Sequence, residues 1–205
     1  MPEEKKLTTL QRQKAARPLV EDSIRELLDG ETRQTALDFA AWMRENRMKP
    51  SWYLINKWKA SYKSKTICNL HISWYGKNGF HRGYYDSSGG SVAWYINPCL
   101  SHMDMYNEQI KSEGLADFIR DNAFSCVYSG KSPSPGVGCS PGKPCAPGRG
   151  VTILDREIEN NCCGHFTMLV WNPDQTAVNS VKRLLELEQA ARDQIKNNKK
   201  GAVKP

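Results

Sequence analysis

Hydrophobic residues along this chain keep helical spacing through the first third and then switch to strict alternation. Residues 3–17 form a charged, weakly amphipathic arm interrupted by Pro18. Leu19–Leu28 reads as a short helix closed by Asp29-Gly30, with the glycine suited to the left-handed position past a helix end. Thr32–Met48 predicts a stronger helix with Leu37, Ala40, Ala41 and Met43 on its apolar side, and Pro50 stops it. Ser51 is placed to cap a further helix, in which Ile55, Trp58 and Tyr62 share one face.

From Thr66 to Tyr75 the period becomes two. Cys68, Leu70, Ile72 and Trp74 fall on one side, and Asn69, His71, Ser73 and Tyr75 on the other. Gly76–Gly79 reads as a turn into a partner strand Phe80–Asp86, and Ser87–Gly90 as a second turn into Ser91–Asn97, where Val92, Trp94 and Ile96 point inward. A three-stranded meander over 66–97 is the expectation. Met103–Asn122 follows as one helix carrying Met105, Ile110, Leu115, Phe118 and Ile119, with Gly114 weakening it by about 1 kcal/mol relative to alanine. Ala123–Tyr128 suits a short strand, Val151–Leu154 and Glu157–Cys163 a hairpin, and Phe166–Trp171 a further strand. Asn172-Pro173-Asp174 opens a last helix with an N-cap, proline at the first position and an acidic first turn, and Val178, Val181 and Leu185 form its stripe.

These elements predict an α+β fold: an antiparallel sheet covered by helices on one face, with a long Gly/Pro/Cys-rich insertion. The chain divides into a helical arm over 1–30, a single α+β domain over 31–191 and a basic tail over 192–205. Within the domain, 15 of the 22 residues from 129 to 150 are Gly, Pro or Ser, and a stretch so composed is usually functional or disordered. No repeat at a solenoid period is present.

Composition adds exclusions. With 39% hydrophobic and 25% charged residues in 205, usage is that of an ordinary globular protein, which rules out collagen, long coiled coil and wholesale disorder. No run of 18 apolar residues occurs, so no membrane span is expected. The opening Met1-Pro2-Glu3-Glu4-Lys5-Lys6 leads into a polar helix, not an apolar signal region, so a cytoplasmic location is expected. Seven cysteines, an odd number, fit a reducing compartment.

The net charge of +7 resides in the ends: residues 1–18 carry +3, residues 192–205 carry +4, and the 19 basic and 19 acidic residues between them cancel. Such tails are weak evidence for a DNA-binding domain. Inside the neutral body, the nine cations from Arg44 to Arg82 are opposed only by Glu45, and aromatics interleave them at Trp52, Tyr53, Trp58 and Tyr62. That mixture suits single-stranded nucleic acid, with rings stacking bases and ammoniums meeting phosphates. The plainer reading, and the favoured one, is an amphipathic helix with rings turned to the core and Lys57, Lys59, Lys63 and Lys65 turned to water.

Two constellations carry candidate chemistry. Cys139 and Cys145 stand in the Gly/Pro-rich loop, separated by five residues, and Cys162-Cys163-Gly164-His165 follows on an expected strand. Alternation puts Cys162 and Cys163 on opposite faces, so Cys139, Cys145, Cys163 and His165 would form a tetrahedral zinc set of three thiolates and one imidazole. Ordinary thiols, or a redox role for the vicinal pair, are the alternatives. The second constellation is the polar side of the meander. Tyr75, Tyr84 or Tyr85, and Tyr95 would lie beside His71, Ser73, Arg82 and Asn97, an aromatic surface with a few convergent polar groups of the sort a small organic ligand requires. The plain alternative is a second layer packed over that face. The ligand set on this reading is His71, Tyr75, Arg82, Tyr84 and Tyr95. His71, His81, His102 and His165 are the four imidazoles, and none lies in a nucleophile motif; nucleotide loops and metalloprotease signatures are also absent, so no catalytic residue is assigned.

Two stretches resemble known groups. Trp58-Lys-Ala-Ser-Tyr62 with Lys65-Thr-Ile-Cys-Asn-Leu70, after two helices, resembles cytosolic bacterial two-layer α+β domains of the YdhG-like or YjbR-like kind, of unknown function. Cys145-Ala-Pro-Gly-Arg-Gly-Val-Thr-Ile-Leu154, with Cys162 and the Asn172-Pro-Asp174 helix start, is similar to the ends of clostridial-type proteins without assigned activity. The resemblance implies a bacterial cytosolic α+β domain and brings no functional residues with it. A non-enzymatic small-molecule-binding module is the leading expectation. A zinc-stabilised protein-interaction domain and a single-strand nucleic-acid binder through residues 44–82 are the alternatives.

Overall fold

In the computed structural model the described residues are 7–72, 93–123, 151–154, 156–158 and 168–201. Their elements are α1 (Thr9–Ala16), α2 (Val20–Leu27), α3 (Gly30–Glu45), β1 (Lys49–Leu54), β2 (Lys57–Tyr62), β3 (Lys65–Ile72), β4 (Trp94–Pro98), a 3-10 turn Met103–Tyr106, α4 (Asn107–Ser112), α5 (Leu115–Asp121), β5 (Val151–Ile153), β6 (Arg156–Ile158), β7 (Val170–Trp171) and α6 (Gln175–Gly201). The fold is α+β with an antiparallel sheet of five strands in the order β1-β2-β3-β4-β7. A separate antiparallel pair, β5 with β6, sets Ile153 opposite Arg156. The chain forms two compact units. One comprises residues 1–96 with 171–178, the other residues 97–170 with 179–205.

In the first unit the sheet's helix-covered side is written in its register. Trp58 pairs with Trp52 on one neighbour and Leu70 on the other, while Ala60 pairs with Pro50 and Cys68. Directly paired residues in antiparallel strands project to the same side. That side is closed by α2 and α3: the fully buried core contains Ile24, Phe39, Met43, Trp58, Leu70 and Trp94. The Trp58 indole donates to the Pro18 carbonyl at 2.9 Å, and the Phe39 ring meets Trp94 at 6.5 Å between centroids. A bulge beyond Ala60 inserts one residue into β3, so that neighbouring Ile67 and Cys68 are both buried. Between α2 and α3, Arg44 donates to both carboxylate oxygens of Glu21, at 2.5 and 2.9 Å.

The sequence expectations differ from this structure at identifiable places. The helix expected after Ser51 is instead the β1–β2 hairpin. The spacing of Ile55, Trp58 and Tyr62 fits a helical face, but Trp58, Ala60 and Tyr62 also alternate, and the sheet satisfies that second pattern. In the sheet order β4 lies directly beside β3, where the meander would place Phe80–Asp86 between them; residues 73–92 lie outside the described set. Gly30 has the expected positive φ, 49°, but at the first position of α3 and not past the end of α2.

In the second unit the helix expected over 103–122 is broken into a 3-10 turn, α4 and α5. Gly114, at φ 70°, sits at the break between the two α-helices, where a left-handed residue ends one and begins the next. Back in the first unit, the start of α6 is capped by Asp174, whose carboxylate accepts from Ala177 N at 2.7 Å. Asn172 serves a different contact. At φ 41° its amide oxygen accepts from the backbone N–H groups of Ala93 and Trp94, and its own N–H donates to the Trp94 carbonyl at 2.9 Å.

Candidate functional site

The side of the sheet opposite α2 and α3 carries the remaining alternate residues. Lys57 on β2 stands directly opposite His71 on β3. The His71 ring meets Tyr95 of β4 edge-on at 4.9 Å between centroids, and Tyr95 in turn meets Trp171 of β7 at 5.0 Å. The four side chains therefore form a row across four adjacent strands: an ammonium, an imidazole, a phenol and an indole. The two inner members are closed from solvent, His71 at 3% and Tyr95 at 5% exposure, whereas the outer members Lys57 and Trp171 are half-buried. Burial pushes the Lys57 amine below its ordinary value, because the charged form loses hydration.

Chemically the row combines three rings, the inner two of them buried, with a cation at one end. His71 and Tyr95 are the members of the expected ligand set that the structure brings together. Tyr75, Arg82 and Tyr84 lie outside the described residues, as do Cys139, Cys145, Cys163 and His165 of the expected zinc set. Among the described residues no three His, Cys, Asp or Glu side chains are grouped to hold a metal. Cys68 and Cys99 are thiols, Cys68 buried in the sheet and Cys99 pushed up to about 11 by burial. Lys57 and Trp171 were not in the expected ligand set. The alternation of 58, 60 and 62 as inward positions was the signal that would have sent Lys57 to the opposite side.

Three of the four rings in the basic run are buried or hydrogen-bonded within the fold. Trp58 is fully buried, Tyr62 is 6% exposed, and the half-buried Trp52 donates its indole N–H to Gln13 at 3.2 Å. Tyr53 is the exposed ring of that run.

A second polar cluster lies in the other unit around Glu188, which is fully buried. Its Oε1 accepts from His102 Nδ1 and from Arg192 Nε, both at 2.8 Å; its Oε2 accepts from the His102 backbone N–H at 3.1 Å and the Tyr106 hydroxyl at 2.9 Å. Arg192 also donates to the Cys99 carbonyl at 3.2 Å. An ionised carboxylate only accepts, so His102 Nδ1 carries a proton in this arrangement. Burial, with the neighbouring carboxylate, pushes the Tyr106 phenol far above its ordinary value. Four donors saturate the carboxylate, and its role is to fasten α6 to the segment 99–106. Glu188, which is not in the sequence-derived site set, falls in register with the apolar stripe Val181, Leu184, Leu185 and Ala191. A carboxylate at a core position of a helix is the signal that finds such a cluster.

No known protein family, curated protein or solved structure matches this chain. No described helix is long and apolar enough to cross a membrane.

Proposed function

We propose that this protein is a non-enzymatic module that binds a small, flat organic molecule against the sheet side carrying Lys57, His71, Tyr95 and Trp171. The observation that supports the reading is the unbroken row of those four side chains, one from each of four adjacent strands. The half-buried cation and indole at the two ends of the row are held at fixed spacing across buried His71 and Tyr95 by backbone pairing, not by loops, so the arrangement is preorganised. The saturated Glu188 cluster adds no open catalytic group, and the reading therefore stays with binding.

A thermal-shift screen of aromatic carboxylic acids and heterocycles tests it. A ligand present at about 100 times its Kd stabilises by about 2.7 kcal/mol, which in a chain of this length raises Tm by about 5–10 °C. The shift is expected to shrink in Lys57→Gln and in Trp171→Leu, both at half-buried positions that leave the core intact. The absence of any stabilising compound across such a library, or hits unaffected by both substitutions, overturns the reading.

A further inference from the structure

Helix α1 is eight residues long and buries none of them. Leu7, Leu10 and the following Leu19 are 56, 40 and 56% exposed, so its place is not set by an apolar face. Isolated helices of that length are marginal in water even in favourable sequences. The helix closes its own start with a capping box, in which the Thr8 hydroxyl accepts from Gln11 N and the Gln11 side chain accepts from Thr8 N at 2.8 Å. Among the described residues, the hydrogen bonds from α1 to the sheet all run through one side chain, Gln13. Gln13 Oε1 accepts from Asn56 N at 2.9 Å and from the Trp52 indole at 3.2 Å, and Gln13 Nε2 donates to Asn56 Oδ1 at 2.6 Å.

The receiving turn is built for this contact. Asn56 is 2% exposed and holds φ at 51°, presenting both its backbone N–H and its side-chain oxygen to one partner. The same residue's carbonyl accepts from Ile72 N at 2.9 Å, tying the turn to the end of β3. On the other side of α1 stands a hinge. Arg17 adopts φ 45°, a left-handed conformation costly for a residue with a side chain, and immediately beyond it the Pro18 carbonyl is pinned by the buried Trp58 indole. Among the described residues the chain is thus held at Pro18, bent at Arg17 and hydrogen-bonded again to the sheet through Gln13.

We infer that residues 7–17 are a releasable latch: α1 opens as a unit about Arg17 when Gln13 leaves the Asn56 turn, while the sheet and the α2–α3 layer stay folded. Release uncovers the Trp52 indole and the Asn56 amide, both on the β1–β2 hairpin, and the freed helix melts for want of an apolar partner. The latch is independent of the ligand reading, since it involves none of the four side chains in that row.

The test compares the full-length chain with Gln13→Ala and Gln13→Glu. The second variant keeps an acceptor for Asn56 N and Trp52 but sets oxygen against Asn56 Oδ1. Trypsin cleavage at Arg12 and Lys14 is followed by mass spectrometry under native conditions, together with exchange of the Asn56 amide and the thermal midpoint of the chain. Losing contacts worth about 1.4 kcal/mol raises the open population roughly tenfold. Both variants should therefore be cut about ten times faster at these sites and exchange Asn56 correspondingly faster, at an unchanged thermal midpoint. Wild-type cleavage rates in both variants overturn the inference, because Gln13 then holds nothing. A midpoint that falls in step with the cleavage rate overturns it too, because α1 would then belong to the cooperative fold.

Discussion

Glu188 shows how much one residue can organise when its surroundings leave it no choice. A fully buried carboxylate is stable only with donors on its lone pairs, and here two side-chain cations or rings, a phenol and a backbone N–H supply four. Glu188→Gln replaces two of those acceptor sites with donors that face donors, and should lower stability by about 3 kcal/mol in urea unfolding. His102→Ala removes a donor from a carboxylate that keeps Arg192 and Tyr106, and should cost less, about 2 kcal/mol. An E188Q midpoint equal to wild type would mean that the cluster is not ionic. Glu21 gives the corresponding pH effect. Hydrogen bonds from Arg44 hold its carboxyl below the ordinary glutamate value, against the opposing effect of burial. A carboxylate with a lowered folded value stabilises the fold above its ordinary pKa of about 4.3, and that contribution drains away as pH falls through the folded value. Stability measured between pH 5 and 2.5 should therefore fall less steeply in Glu21→Gln than in wild type.

The elements were legible from the sequence where one periodicity stood alone, and obscured where two overlapped. Helices α2 and α3 and strand β3 follow from their apolar spacing. The β1–β2–β3 hairpins do not, because their turns carry none of the usual glycines. Ile55-Asn56 and Lys63-Ser64 make the reversals, with φ 51° at Asn56 and 48° and 67° at Lys63 and Ser64. Positive φ at both central residues is the primed-turn geometry in which Asn-Gly or Asp-Gly is expected, so Lys-Ser gave no signal. Ser64→Gly should relieve that strain and raise stability by about 1 kcal/mol, read as a higher thermal midpoint. A lowered midpoint would show that the turn conformation is not the costly one. Gly114 worked the other way. Its helix-weakening cost was evident in the sequence, and the structure turns that cost into the break between α4 and α5. As for the site, His71 and Tyr95 could be found by alternation, whereas their contact with Trp171 depends on β7 lying beside β4, a long-range neighbour that no local pattern encodes.

At the scale of the whole chain, charge was a good guide to composition and a poor guide to boundaries. The basic segment beginning at Arg192 resembles a solvated tail, yet α6 continues to Gly201 and the Arg192 side chain is only 8% exposed, bonded to Glu188. Ending the chain after Ala191 should therefore destabilise the protein by about 3–5 kcal/mol, because it leaves the carboxylate buried without its cation. Ending it after Lys196 should leave the urea midpoint close to wild type. Equal midpoints for the two truncations would remove Arg192 from the folded structure.

The outermost strand of the sheet contains Pro50, opposite Ala60, and begins at exposed Lys49; the other margin is β7, two residues long. A proline has no N–H to offer a newcomer, a solvated ammonium resists being covered, and two residues are too few to template a ribbon. Among the described strands, neither margin invites a foreign strand, so lateral growth into larger aggregates is discouraged at both by backbone chemistry alone.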